Sequence, residues 1–274
     1  TRVRSSAASD VYKRQPQRPF ATIDYAISQC TANQGDVIYV LPQHQEDIAD
    51  ATTFQVDVVG VSIIGLGRGT DRPQFNFTNT AGSVELDSAN VRISNLMFIA
   101  DVSAVVVGMN VDADYVQVDN CEFNFNATGD DFLIMIDVDD VNYCRILNCE
   151  FYAESATAGS NEAIRLDTAD QCWVKDCSFA GDFAVAAIAG LGAASTLVLI
   201  DHNYIYNDDT AAAENGIDFD VANTGLISHN IIGTLRGAST VANLIDPGSC
   251  LNIENYACNA IDEKGILIPG SASA

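Results

Sequence analysis

Arg145, Trp173 and Lys175, with Arg165 and Asp167 a short way off in the chain, are the one place where bases, an acid and the sole tryptophan converge. An indole face beside cationic groups suits an acidic sugar, through stacking and cation–π contact. Two reactions could use such a surface. β-Elimination from a uronate needs an Arg or Lys base, with Ca2+ or basic groups neutralising the sugar carboxylate. Hydrolysis needs two or three carboxylates facing a groove. Acids abound at Asp87, Asp112, Asp137, Asp139, Asp140, Asp167, Asp218, Asp220 and Asp246, but bases are few. Arg145, Trp173, Lys175, Arg165 and Asp167 are therefore candidates for glycan binding, and no catalytic residue is assigned. The plainer reading puts Trp173 beneath a loop such as Tyr152–Asn161, with its charged neighbours solvated.

His202 and His229, in Asp201-His202-Asn203 and Ser228-His229-Asn230, are the other pair with chemical potential. A two-histidine metal site with Asp201 is weighed against two ring residues stacked in a turn; stacking is preferred and no metal ligand is assigned. Cys121, Cys149 and Cys177 share one repeat position, and Cys144 and Cys172 another. Like positions on neighbouring coils lie about 5 Å apart. Parallel side chains make poor disulfide partners, however, and no paired C-x-x-C supports zinc. The cysteines read as small buried hydrophobes, whose abundance fits assembly in a reducing cytoplasm.

These spacings come from a repeat. The unit apolar-x-apolar-x-Asn/Asp-x-x-aromatic starts at Val91, Val116, Cys144 and Cys172, with looser copies at Leu197, Thr224 and Leu251. Successive starts differ by 25, 28, 28, 25, 27 and 27 residues. A near-constant period of this size is the mark of a solenoid. Alternating apolar residues make each unit a strand. A second strand precedes most copies, at Val84–Leu86, Val107–Val111, Leu133–Val138, Ala163–Leu166, Ile217–Val221 and Leu244–Ile245. Earlier strands at Val37–Leu41 and Val61–Gly65 extend the series. The expected fold is all-β, a right-handed parallel β-helix of about nine coils, roughly 43 Å long at about 4.8 Å per coil.

The recurrent Asn/Asp position (Asn95, Asn120, Asn148, Asp176, Asp201, Ser228, Asn255) suits a tight turn that stacks on itself. Parity sends Arg92, Gln117, Arg145 and Trp173 outward in one file, and Ser94, Asp119, Leu147 and Lys175 in the next. Ile23, Ala26, Ile27 and Cys30 share one helical face behind an N-cap at Thr22, as a helix covering the open end of the core would require. Residues 16–34 form this cap, 35–258 the coils and 259–274 a closing segment, with Ile266-Leu267-Ile268-Pro269 shutting the last coil.

The chain carries 13 basic and 37 acidic residues, and four of the bases lie in the first fifteen positions. That basic, serine-rich segment resembles translated library-adapter sequence and is read as non-native and disordered. The acidic remainder repels phosphate backbones, which excludes nucleic acid as a partner. No run approaches the roughly 18 apolar residues of a membrane span. The charge reads as a solubility device rather than an acidic docking surface.

Phe20-Ala21-Thr22-Ile23 followed by Gly35-Asp36-Val37-Ile38-Tyr39-Val40-Leu41-Pro42 resembles the capping helix and first coil of the pectate-lyase-like superfamily. Val59-Gly60-Val61-Ser62-Ile63-Ile64-Gly65-Leu66-Gly67-Arg68-Gly69-Thr70-Asp71-Arg72-Pro73 is similar to the second coil of β-helix proteins encoded by tailed phages and prophages. The resemblance covers nearly everything after Gln15. It implies the fold and a viral relative but little about activity, because lyases, hydrolases, tailspikes and inert rods share the fold. The superfamily's catalytic signatures have no match here.

The expected function is a non-catalytic virion rod, structural or adhesive, that binds glycan and associates with polysaccharide or other virion proteins. It would be made in the host cytoplasm and reside in the virion, or outside the cell after lysis. The alternative is a polysaccharide lyase or glycoside hydrolase. No cofactor is required by the first reading, and Ca2+ is the ion the second would call on. Lateral association into a trimer would need an apolar outer face, and Val185–Leu191 with Leu197–Ile200 is the least polar stretch.

Overall fold

The computed structural model describes residues 19–155, 159–208, 215–234, 244–258 and, as backbone, 265–266. The segment 1–15 and residues 267–269 lie outside the described residues. Within them the chain winds into a parallel β-helix whose walls are sheets of nine, ten and eight strands. The first sheet runs from Val37–Val40 through Ser62–Gly65, Arg92–Ser94, Gln117–Asp119, Arg145–Leu147, Trp173–Lys175, Val198–Asp201 and Gly225–Ser228 to Leu251–Ile253. Every pairing is parallel except the last, where Gly265–Ile266 runs antiparallel to Tyr256–Ala257.

The two strands per coil expected from the pattern are in fact three. Asn95, Asn120, Asn148 and Asp176 adopt left-handed backbone (φ between 52° and 59°), which turns the chain sharply after the first-sheet strand. The residues that follow each of them then form the second sheet, as in Met97–Ala100, Glu122–Phe125 and Glu150–Tyr152. Asn120 Nδ2 donates to Asn95 Oδ1 at 2.8 Å, and Asn95 Nδ2 donates to the Gly65 carbonyl at 2.8 Å. This is the turn ladder that the repeat predicts.

The register of the later coils differs by one residue from that expectation. Val198 pairs with Gly225 and Leu226 with Leu251, so these copies start at Val198, Gly225 and Cys250. Burial decides the register: Val198 and Cys250 are buried, whereas Leu197 and Leu251 are each 65% exposed. His202 and His229 therefore occupy the turn position, with φ of 57° and 55°, and not the cysteine position. Asn203, Asn230 and Asn255 take the cysteine position and are buried.

The core is one continuous cluster. Phe75, Phe98, Phe123, Phe151 and Phe179 stack coil on coil, with centroids 4.8–5.9 Å apart. Ile205, Ile232 and Ala257 continue the same file. The helix Ile23–Ser28 buries Ile23, Ala26 and Ile27 against the open end, and the Thr22 hydroxyl accepts from the Tyr25 N–H. Among the described residues no helix is long and apolar enough to cross a membrane. The stretch expected to offer an apolar outer face does so only in part. Phe183–Gly190 is a third-sheet strand whose Ala186–Ala189 are buried, and exposed apolar side chains instead include Leu197, Tyr204, Ile231, Leu251, Ile253 and Tyr256.

Candidate functional site

Arg145 and Trp173 are direct partners on adjacent first-sheet strands, both outward, in one file with Arg92 and Gln117 as parity required. Because neighbouring strands carry them side by side, the Arg145 guanidinium lies 4.6 Å over the indole ring, within cation–π range. Trp173 is 39% exposed. Two residues along the same strand, Lys175 donates through Nζ to Asp201 Oδ2 at 3.0 Å. That bond and the charge behind it raise the affinity of Lys175 for its proton. Arg145, Trp173 and Lys175 thus form one wall.

Arg165 and Asp167 do not join that wall. They belong to the third-sheet strand Ser160–Asp170, where side chains leave the helix in another direction. Arg165 grips Asp137 on the preceding coil with both arms of its guanidinium, the Nε–Oδ1 bond being 2.8 Å. Asp167 accepts from the Ala193 N–H and faces Asp139 across the strands. Both are explained by coil-to-coil pairing.

The second outward file is also more internal than parity alone implies. Ser94, Asp119, Asp201 and Ser228 are buried. Asp119 takes both arms of Arg92 at 2.7 and 2.8 Å, the Ser94 hydroxyl at 2.8 Å and the Gln117 amide at 3.1 Å. Burial alone would raise the Asp119 carboxyl, but these bonds outweigh it and hold the group below its ordinary value. Asp201 is the counterpart further along. Its Oδ2 faces Lys175 and His202 Nδ1 (2.7 Å), and its Oδ1 faces Ser228 Oγ (2.8 Å) and His229 Nδ1 (3.1 Å). Desolvation is again overcome, and Asp201 stays ionised far into acid. The His202 and His229 rings stack at 4.7 Å and 19°.

The cysteines split by depth. Cys121, Cys149 and Cys177 are buried with free thiols, and burial pushes the Cys121 and Cys149 thiols up, away from nucleophilic thiolate. One feature of the surface escaped the sequence pattern. A groove of about 570 Å3 runs along the second sheet, lined by Glu122, Glu150, Tyr152, Tyr206 and Asp208 among others. Glu122 and Glu150 are partners on adjacent strands. Arg72, fifty residues upstream of Glu122, pairs with it, and Tyr152 donates to Glu150 Oε2 at 3.0 Å. Burial, and then Glu150, push the Tyr152 phenol up to about 12. Both carboxylates already have partners. Parity applied to the residues after each Asn turn would have placed Glu122 and Glu150 together, but no local signal brings Arg72 to them.

No protein-family model matches the sequence, and no curated protein matches it. Among solved structures, that of pectate lyase Pel9A is similar at a TM-score of 0.55 and 12% identity, over 95% of this chain and 78% of that one. The fold is a right-handed parallel β-helix. A protein of Geobacillus virus E2, ORF18, superposes at a TM-score of only 0.36 and 12% identity, over 87% of this chain and 57% of its own. At such identities the likeness to the lyase is one of fold.

Proposed function

We propose that this chain is a non-catalytic β-helix rod of a virion that holds an acidic glycan on the wall formed by Arg145, Trp173 and Lys175. The observation that carries the reading is the guanidinium stacked on a partly exposed indole, with an ammonium two residues along the same strand. A flat sheet presenting these groups can take a sugar face and a carboxylate together. Elsewhere on the described surface the charged groups are mostly acidic, so the wall is where an anionic chain meets least repulsion. The virion assignment rests on the phage-like second coil, and it places the protein in particles and in lysates.

Retention of the folded protein on uronate-containing polysaccharide is expected, with Trp173→Ala weakening it about tenfold, roughly 1.4 kcal/mol. Equal retention of wild type and variant would remove the wall from consideration. Mass spectrometry of purified particles should find the chain, and its confinement to the soluble lysate would refute the virion role.

The second reading, a polysaccharide lyase or hydrolase, is favoured by the groove containing Glu122 and Glu150. Its test is product release from uronate-containing and neutral polysaccharides, with and without Ca2+. The engagement of Glu122 by Arg72 and of Glu150 by Tyr152 supports binding over turnover, so no new reducing ends are expected.

A further inference from the structure

We propose that Asp201, His202 and His229 form a binding site for a divalent transition-metal ion of the zinc, cobalt or nickel class, with Glu254 orienting one of the histidines. Asp201 ends one first-sheet strand, His202 follows it at the turn, and His229 holds the same turn position one coil on. Left-handed backbone at both histidines stacks the two rings. Each ring directs Nδ1 at a different oxygen of the Asp201 carboxylate, at 2.7 and 3.1 Å. One ligand atom from each of the three residues lies within 4.8 Å of the other two. Two imidazoles and one carboxylate are a donor set that borderline divalent ions accept, with further coordination positions left for solvent. The histidine side chains are 52% and 43% exposed, so those positions open outward.

His229 supplies the second observation. Its Nε2 lies 3.0 Å from Glu254 Oε2, while its Nδ1 lies 3.1 Å from Asp201 Oδ1. Both ring nitrogens therefore face carboxylate oxygens, yet a neutral imidazole has a single N–H. With that proton on Nε2 and given to Glu254, Nδ1 presents a lone pair to an oxygen lone pair. Only a positive charge between them makes the contact favourable, either a second proton or a metal ion. A carboxylate fixing the far nitrogen of a metal-binding histidine is the usual outer-shell arrangement. The ion takes the place of the Nδ1 protons, the second proton of His229 leaving to solvent and the single proton of His202 moving to its Nε2, and it displaces the Lys175 ammonium from Asp201 Oδ2.

The test is calorimetric titration of the full chain with Zn2+ in chelator-free buffer, with Co2+ absorption as a second probe. A single equivalent should bind. His202→Gln and His229→Gln should each weaken it at least tenfold, and Glu254→Gln about tenfold. Lys175→Met should tighten it, because a competing cation is removed. His44→Gln, remote from the cluster, should leave it unchanged. Absence of binding, or binding that survives the His202→Gln/His229→Gln double substitution, overturns the proposal. So does loss of affinity in Lys175→Met, provided circular dichroism shows each variant folded. Glycan retention is read separately, so failure of either proposal leaves the other standing.

Discussion

Asn230 shows how much one buried polar side chain can carry in this fold. It is fully buried, and its Oδ1 accepts from both the N–H and the side-chain amide of Asn203 at 2.9 and 3.0 Å. Its own amide donates to the Ile200 carbonyl and to Asn255 Oδ1. On the earlier coils Cys121, Cys149 and Cys177 fill the same position with little hydrogen bonding to lose. Asn230→Ala should therefore cost about 3 kcal/mol, because it strands several buried partners. Cys149→Ala should cost only about 1 kcal/mol, for lost volume. Urea denaturation of the two variants checks the order, and a cysteine variant at least as damaging as the asparagine variant would contradict this account. The difference between ladders also explains the misplaced register. Where the first-sheet turn carries Asn followed by Cys, the pattern reads true; where it carries His followed by Asn, the Asp201 or Ser228 ahead of the histidine passes for the turn residue and the copy is set one residue early.

The coil is the element of this protein, and its stability comes from stacking like upon like. Phe123 lies between Phe98 and Phe151, at 4.9 and 5.3 Å. Phe123→Ala should cost about 4 kcal/mol, since a rigid column cannot collapse into the space. Ile232→Ala, in the same file further along, removes a smaller side chain and should cost about 3 kcal/mol. Comparing the two by thermal unfolding tests whether the aromatic column is the stronger part of the rod; equal losses would argue against it. Coil-to-coil pairing also builds the proposed glycan wall, because Arg145 meets Trp173 only through the pairing of their strands. It also disposes of Arg165, whose register partner is Asp137.

At the scale of the whole molecule, charge sets how stability varies with pH. Asp112, flanked by Glu85, Asp87, Asp139 and Asp137, is pushed up to about 6, first by burial and then by those neighbours. Glu162 and Asp218 are raised too, each chiefly by burial. A carboxyl whose pKa is higher folded than unfolded binds its proton preferentially in the folded state, so stability rises as pH falls from about 7 through about 6 toward about 4. Asp119 and Asp201 act oppositely, and their contribution is lost once pH falls below about 4. The Tm should therefore peak between about pH 4 and 6. Asp112→Asn should raise the Tm at pH 7 more than at pH 5. A Tm that declines steadily from pH 7 downward would refute this assignment.

The period, the strand alternation and the capping helix were legible in the sequence because each is set by local pattern: alternation fixes a strand face, and a turn residue recurs where the backbone must become left-handed. From these alone follow the β-helix, the Phe column, the turn ladder at Asn95 and Asn120, and the outward file that includes Arg145 and Trp173. The tertiary structure decided which neighbours occupy the space between coils. It split each coil into three walls, parted Arg165 and Asp167 from Trp173, and moved the later register by one residue so that Val198 is buried. It also brought Arg72 to Glu122 and placed two histidines and Glu254 around Asp201 and one another. Such contacts join residues a coil or more apart, and which of them form depends on small differences in coil length that accumulate along the rod and that no single repeat contains.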